Sequence, residues 1–348
     1  MKQMTTAIIG SGSISGIYLQ NLTAMFSNIK VKSCCAQHIE SAQKRAAQFG
    51  IQASTVEDIL ADPEIDMVVI LTPAPSHYEL IKKALLAGKH VYTEKVLSLT
   101  VKEAKELCDL ADEKGLYLGS APDTFMGAAW QKCAQVVKEN TLGTVTGFDV
   151  YVNRDMDQIT SEYPFVCLPG GGVLYDFGVY HLTALTYLLG RVKKVCSIVE
   201  NNKPIRVGKV EGTAAFGKEY AFPNEAQVTA ILRMESGVVG TLTINGESIP
   251  DDLLHFRIYG EKGVLELPDP NRFGGPIRVH RADCSWEEVP NDLPFSENSR
   301  GIGPYEMAQA MEEGRRNAAN KEQALHVLAV MEAIMESSKT GRFVSVQY

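Results

Sequence analysis

No run of residues in this chain approaches the roughly 20 apolar residues that span a bilayer, so no membrane passage is expected. Cysteine offers no framework either. The seven thiols, at positions 34, 35, 108, 133, 167, 196 and 284, are odd in number and show no C-x-x-C spacing. That pattern speaks against a disulfide scaffold and for a reducing, cytoplasmic compartment. The seven histidines form no H-E-x-x-H or comparable cluster, and no metal site is expected. The 34 Lys and Arg against 42 Asp and Glu give a net charge of −8 and no basic stripe, which argues against a nucleic-acid partner. Met1-Lys2-Gln3-Met4 runs straight into the first strand and leaves no room for a signal peptide. No internal repeat or low-complexity tract is present.

What is there is an ordinary soluble composition, 45% hydrophobic and 22% charged, over 348 residues, enough for two domains. The chain is organised around residues 7–26. Ala7-Ile8-Ile9 has the character of a buried parallel strand, and Gly10-Ser11-Gly12-Ser13-Ile14-Ser15-Gly16 follows directly. Ile14, Ile17, Tyr18, Leu22, Met25 and Phe26 then recur at helical spacing. Strand, glycine-rich turn and helix in succession can cradle a dinucleotide. Gly10 permits the tight turn, Gly12 lets backbone N–H groups approach a pyrophosphate, and the positive helix end faces the phosphates. The third glycine is displaced: Ser15 fills its slot and Gly16 comes one residue later. An ordinary turn that binds nothing uses the same residues. Position at the start of the chain, between strand and helix, favours the nucleotide.

Further on, the spacing predicts strands at 31–36, 67–71, 91–93 and 116–118 and helices at 40–49, 76–87 (capped by Ser76) and 100–114. With the strand at 7–9, their alternation makes a doubly wound, mostly parallel α/β sheet, a dinucleotide-binding Rossmann domain over 1–120. From 121 the pattern changes. A helix at 124–140 leads to strands at 145–152, 195–199, 227–234, 238–244, 253–259 and 263–267, with Glu235-Ser236-Gly237 as a hairpin turn. Closing helices fall at 305–313 and 322–338. This predicts an α+β domain over 121–348 with a large, mostly antiparallel sheet.

Ligands of a doubly wound sheet lie at the carboxyl ends of its strands. The candidate cofactor contacts are therefore Gly10, Gly12, Ser13 and Ile14, then Gln37 and His38, then Thr72, Pro73 and His77, and finally Glu94. Taken alone, His77 suits a plain first-turn helix position better. An acidic residue after strand two usually holds the ribose 2′-hydroxyl of NAD. Cys34-Cys35-Ala36-Gln37-His38 has none before Glu40, and Lys44 and Arg45 lie a turn or two into the helix. The expected cofactor is NADP or NAD, with a lean to NADP.

Three stretches together resemble the glucose–fructose oxidoreductase / inositol dehydrogenase (Gfo/Idh/MocA) family of NAD(P)-dependent enzymes. They are the glycine turn at 10–16, Glu94-Lys95-Val96, and Gly170-Gly171-Gly172-Val173-Leu174-Tyr175-Asp176-Phe177-Gly178-Val179-Tyr180. Gly260-Glu261-Lys262-Gly263-Val264-Leu265 and Gly341-Arg342-Phe343-Val344 also match family habits, so the resemblance covers nearly the whole chain. Val96 stands where the family usually has proline, and Thr183 where relatives often carry Asp.

The resemblance implies a Rossmann domain, a second sheet domain and a substrate bound between them. It implies that Lys95 hydrogen-bonds the reacting oxygen, that Tyr180 is the proton donor or acceptor, and that Asp176 is the carboxylate one helical turn earlier. Hydride transfer to or from an alcohol carbon also requires a proton at the hydroxyl oxygen. Tyrosine titrates near 10 and serves near neutrality only beside a cation, which Lys95 supplies. Asp176 also suits a helix N-terminus, and Tyr180 a core aromatic. Candidate substrate contacts are Lys95, Asp123, Arg154, Asp176, Tyr180 and His181, with Asn153, Asp155 and Asp157 beside Arg154. His181 is turned about 100° from Tyr180 round the helix, toward its apolar face, and suits a structural histidine. No convergent Arg/Lys set marks a phosphorylated or dicarboxylate substrate. The expected substrate is a sugar, cyclitol or related polyol, and the expected assembly a homodimer or homotetramer built sheet to sheet. Some relatives bind a dinucleotide and a partner protein without turnover, so a non-catalytic sensor stays open.

Overall fold

The computed structural model describes residues 3–250, 255–283 and 285–348; Met1, Lys2, Leu253 and Cys284, named above, lie outside the described residues. The chain forms two compact units, Met1–Met126 with Asn298–Leu325, and Gly127–Glu297 with His326–Tyr348. The expected single boundary near 120 gives way to a chain that returns to its first unit. Two contacts explain the return. The Asp123 carboxylate accepts from the N–H groups of Gly301 (3.2 Å) and Gly303 (3.1 Å). A Cβ on Gly119 would lie 2.6 Å from the Ala319 carbonyl oxygen, so the backbones pack directly.

The first unit runs β1 (Met4–Ile9), α1 (Ser15–Ala24), β2 (Ile29–Cys35), α2 (Ile39–Phe49), β3 (Gln52–Ala53), α3 (Val56–Ala61), β4 (Met67–Ile70), α4 (His77–Leu86), β5 (His90–Thr93), α5 (Val101–Lys114) and β6 (Leu118–Ser120). Its six parallel strands lie in the order β3-β2-β1-β4-β5-β6. Ala7, Ile8, Val68, Val69 and Ile70 are fully buried, as expected of strands covered on both faces. The order reverses between β1 and β4, and the crevice at their carboxyl ends is where such sheets take ligands. Thr100 and Glu103 form the capping box that starts α5.

Two expectations shift. Ser76 does not cap α4: its hydroxyl donates to Thr72 Oγ1 (2.7 Å) and to the Pro73 carbonyl (2.8 Å), in a 3₁₀ turn over Ala74–Ser76. β6 begins later than the apolar run at 116–118, because the Leu116 N–H still bonds the Ala111 carbonyl in the C-cap of α5.

The second unit runs α6 (Ala128–Lys138), β7 (Val145–Asn153), α7 (Met156–Glu162), α8 (Val179–Leu189), β8 (Val192–Glu200), β9 (Ile205–Val207), β10 (Glu219–Ala221), β11 (Gln227–Met234), β12 (Val239–Asn245), β13 (His255–Gly260), β14 (Gly263–Glu266), β15 (Arg278–Arg281), β16 (Trp286–Glu288) and β17 (Val344–Ser345). Nine strands lie in the order β16-β15-β14-β13-β7-β12-β11-β8-β17. All neighbours are antiparallel except β7 and β12, which pair in parallel with Val150 opposite Leu242. β9 and β10 form a separate ribbon. Strict alternation turns Phe148, Val150, Leu232, Leu242, Phe256 and Ile258 inward. Each such side chain taken from water contributes about 1.5–3 kcal/mol, and a one-residue slip would turn the whole set outward. Among the described residues no helix is long and apolar enough to cross a membrane.

Candidate active site

The glycine turn is built where β1 stops. Gly10 has φ of 110°, and a Cβ there would lie 2.8 Å from the Leu71 carbonyl carbon and 3.0 Å from the Thr72 nitrogen, so only glycine lets the chain turn against the loop after β4. Gly12 has nothing within 4 Å of its would-be Cβ. Ser11 Oγ is buried without a hydrogen-bond partner, and α1 has neither an acidic residue in its first turn nor a side-chain cap. Bare backbone, an unused hydroxyl and a positive helix end fit an anion. A dinucleotide's pyrophosphate suits Gly10, Gly12, Ser13 and Ile14. Thr72 and Pro73 border the turn, and Gln37 and His38 are exposed just past β2.

Glu94 and Lys95 follow β5 directly. The Glu94 carboxylate accepts from the Tyr18 hydroxyl (2.8 Å) and from the Lys95 N–H (3.1 Å), and the Glu94 N–H donates to the Ile70 carbonyl (2.8 Å). Burial, with Glu94 next, pushes the Tyr18 hydroxyl well above its ordinary value. His77 is fully buried, with Nδ1 2.6 Å from the Val96 carbonyl oxygen and Nε2 2.8 Å from that of Thr72. It has no surface left for a cofactor, which corrects its place among the direct contacts. Burial lowers its pKa against the pull of the two carbonyls. Asp123 is also enclosed. Its carboxylate is taken by the amides of Gly301 and Gly303, and burial raises it to about 6 despite Arg300. It caps a helix and does not face a substrate, a second correction.

In the second unit the glycine run is a close approach. A Cβ on Gly171 would fall 2.1 Å from the Val166 carbonyl oxygen, and one on Gly172 2.1 Å from the Glu225 carboxylate. Glu225 in turn accepts from the N–H groups of Leu174 (3.0 Å) and Tyr175 (3.3 Å), starting a π-helical turn over Val173–Gly178. Asp176 therefore lies in a π turn, and the four-residue α-helical spacing to Tyr180 does not hold along its full length. Arg154 is central to this part. Its guanidinium lies 3.7 Å over the Phe177 ring, burial lowers its pKa, and Asp176, Asp269 and Tyr180 oppose that shift. Asp176 is half-buried and Tyr180 nearly buried.

His181 is fully buried, its ring 4.9 Å from that of Phe177 and 5.8 Å from that of Phe256. Nδ1 faces the Phe177 carbonyl (3.4 Å), Nε2 has no hydrogen bond, and burial pushes the pKa down to about 4. It is an enclosed neutral histidine, which removes it from the substrate contacts. Asp155 caps α7 through the amides of Asp157 and Gln158. Against burial, Lys203, Arg206 and Lys209 hold Asp157 at about 2, in an ion-pair network in which Asp157 and Arg206 are buried and the two lysines half-exposed.

Residues 4–121 match the profile of an oxidoreductase family with an NAD-binding Rossmann fold, and residues 130–266 match the GFO/IDH/MocA C-terminal domain. The chain belongs to this family. An uncharacterized oxidoreductase of Rhizobium meliloti is 32% identical over 269 residues, covering 76% of this chain and 74% of that one. A scyllo-inositol 2-dehydrogenase (NADP(+)) of Bacillus subtilis is 23% identical over 358 residues, covering 98% and 95%. The structure of a levoglucosan dehydrogenase in complex with NADH and levoglucosan shares the fold, with a TM-score of 0.86 at 20% identity over 100% of both chains. Two other relatives are matched over only 58% and 59% of their own length.

In this GFO/IDH/MocA chain the sequence reading passed over two residues and left a third without its contact. Asp269 acts on Arg154 and His181 from the loop after β14, where no motif or periodicity marks it. Glu225 shapes the π turn but sits far along the chain from it. Arg45, noted only for its charge, donates from Nη2 to the Gly12 carbonyl (3.2 Å) and so lies on the glycine turn itself.

Proposed function

We propose that this chain is an NAD(P)-dependent dehydrogenase or reductase that interconverts a secondary hydroxyl and a ketone on a sugar, cyclitol or related polyol. The observation that carries the reading is the placement, on one edge of one parallel sheet, of a bare glycine turn after β1 and of Lys95 after β5. A bound nicotinamide supplies or accepts the hydride. The chain's own residues do the rest. Gly10, Gly12, Ser13 and Ile14 bind the pyrophosphate. The Lys95 ammonium hydrogen-bonds the reacting oxygen and stabilises its developing negative charge. The Tyr180 phenol oxygen gives or takes the hydroxyl proton, within the field of Asp176 and Arg154. The scyllo-inositol and levoglucosan enzymes among the relatives support a polyol. So does Arg154, whose charge is answered by Asp176 and Asp269 and is not left for a phosphate.

NADP is preferred in this proposal. Ala36-Gln37-His38 carries no carboxylate to repel a 2′-phosphate, and the Arg45 guanidinium is held at the glycine turn. The free thiols among the described cysteines suit a cytoplasmic home. A second copy covers the outer face of the nine-stranded sheet in a homodimer or homotetramer. Titrating NADPH and NADH against protein fluorescence, followed by a panel of polyols and ketones, tests the reading. Saturable binding with NADPH favoured, and turnover of a sugar or cyclitol, are expected. Absence of saturable binding by either dinucleotide sinks the reading. A strong NADH preference sinks only the 2′-phosphate part.

A further inference from the structure

The proposed chemistry needs two loops of the first unit to hold a common register: the Thr72 loop, against which the glycine turn packs, and the segment carrying Lys95. The backbone of Lys95 is fixed on its N-terminal side, where its N–H donates to the Glu94 carboxylate (3.1 Å). On the other side the Val96 carbonyl meets the Nδ1 of His77 at 2.6 Å. The opposite nitrogen of the same ring, Nε2, meets the Thr72 carbonyl at 2.8 Å. Thr72 is the peptide whose nitrogen would lie 3.0 Å from a Cβ on Gly10, so a shift of that loop is felt at the glycine turn. Its hydroxyl is held as well, by the Ser76 hydroxyl at 2.7 Å.

We propose that His77 is a positioning residue that ties the dinucleotide turn to the catalytic lysine, the Nε2 bond to Thr72 setting dinucleotide affinity and the Nδ1 bond to Val96 setting the placement of Lys95. The inference rests on the function proposed above. Enclosure alone does not require this arrangement. A buried imidazole can be satisfied by any pair of partners, whereas this one bridges the two loops that the reaction must keep in step. Both partners are carbonyls and a neutral imidazole donates from one nitrogen only, so both bonds form together when the ring carries its second proton. Glu94 favours that state, while burial and Lys95 oppose it.

The two bonds can be separated by substitution. An Asn amide nitrogen stands as many bonds from Cα as Nδ1, and a Gln amide nitrogen as many as Nε2, so His77→Asn keeps the bond to Val96 and His77→Gln keeps the bond to Thr72. For His77→Asn the expected result is a dinucleotide Kd raised about fivefold or more with kcat lowered less than about threefold. For His77→Gln it is a kcat lowered about tenfold or more with Kd raised less than about threefold. Kd is read by fluorescence titration without substrate, and kcat at saturating dinucleotide. Equal effects of the two variants on both constants, or no effect of either, overturns the proposal. If neither variant folds, nitrogen-15 NMR of the His77 ring in the parent protein decides: saturating NADPH is expected to shift its resonances, and an unmoved ring overturns the proposal. Failure of the parent protein to bind any dinucleotide removes the underlying function and this inference together. Binding by the parent with no division between the variants removes only the inference.

Discussion

In the proposed reaction turnover rests on Lys95, because an oxyanion forming away from bulk water needs a fixed positive charge. Lys95→Met is expected to lower kcat/KM by about 10²–10⁴ and to leave dinucleotide Kd within about twofold. Steady-state kinetics beside a binding titration checks both numbers, and retention of most of the parent kcat/KM would remove the assigned role. Tyr180 and His181 are neighbours with different fates. His181, held at about 4 by burial, is neutral through the working range and has no open side. Tyr180→Phe should lower kcat by about tenfold or more, with dinucleotide affinity little changed. His181→Asn should cost less in turnover and more in melting temperature, since it empties the space between the rings of Phe177 and Phe256. The reverse order in kcat, with both variants folded, would exchange the two roles. The glycine turn was legible in the sequence because a tight turn straight after a buried strand demands glycine at a particular place, whereas Lys95 and Tyr180 were singled out by their resemblance to family motifs. His77 and Asp123 were misread as ligand contacts. Their partners are backbone carbonyls and amides, which every residue carries and no sequence motif announces.

At the scale of elements, helix Ile302–Glu313 is tied down by an acid from another part of the chain. Asp123 accepts from amides at its start, which favours a negative charge there, yet burial dominates and raises the carboxyl from 3.8 to about 6. A folded-state value above the unfolded one means that the fold prefers the protonated form. The stability this contributes is full below about pH 4 and lost as pH rises through about 6. Asp123→Asn keeps an accepting oxygen and cannot ionise. The variant should therefore gain on the parent between pH 4 and pH 7, by roughly 3 kcal/mol at most. Denaturant melts of both proteins at the two pH values read the difference, and a gap that stays constant or shrinks would contradict it. The elements that were legible have strong internal patterns, such as α5 with its capping box and β11 with strict alternation. The β16 strand, exposed at all its positions, has no pattern to read. The π turn was hidden for another reason: it depends on Glu225, a partner supplied by the fold and not by the neighbouring sequence.

On the scale of the whole molecule, the sheet of the second unit carries exposed apolar side chains on one face, among the described residues. Ile198 on β8 is 67% exposed, Ile231 on β11 45% and Val239 on β12 46%. They belong to three adjacent strands, and Ile198 and Ile231 stand beside the threonines that alternate outward with them. Apolar side chains gathered on neighbouring strands lose water when a second sheet packs on them, at roughly 25 cal/mol per Å² of buried apolar area. A face that meets its own copy across a twofold axis needs no separate partner and closes after one step, or after two in a tetramer. Asp149 and His255 lie 3.1 Å apart on the same sheet, so the carboxylate already has a partner there and need not oppose contact. The parent protein is expected to sediment as a dimer or tetramer at micromolar concentration. Replacing Ile198 and Ile231 together by lysine would put two added charges on each side of such an interface and should shift the protein to monomer. Far-ultraviolet circular dichroism of that double variant should match the parent, because neither side chain contributes to the core. A parent chain that sediments as a monomer, or a double variant that keeps the parent's mass, would place the interface elsewhere or remove it.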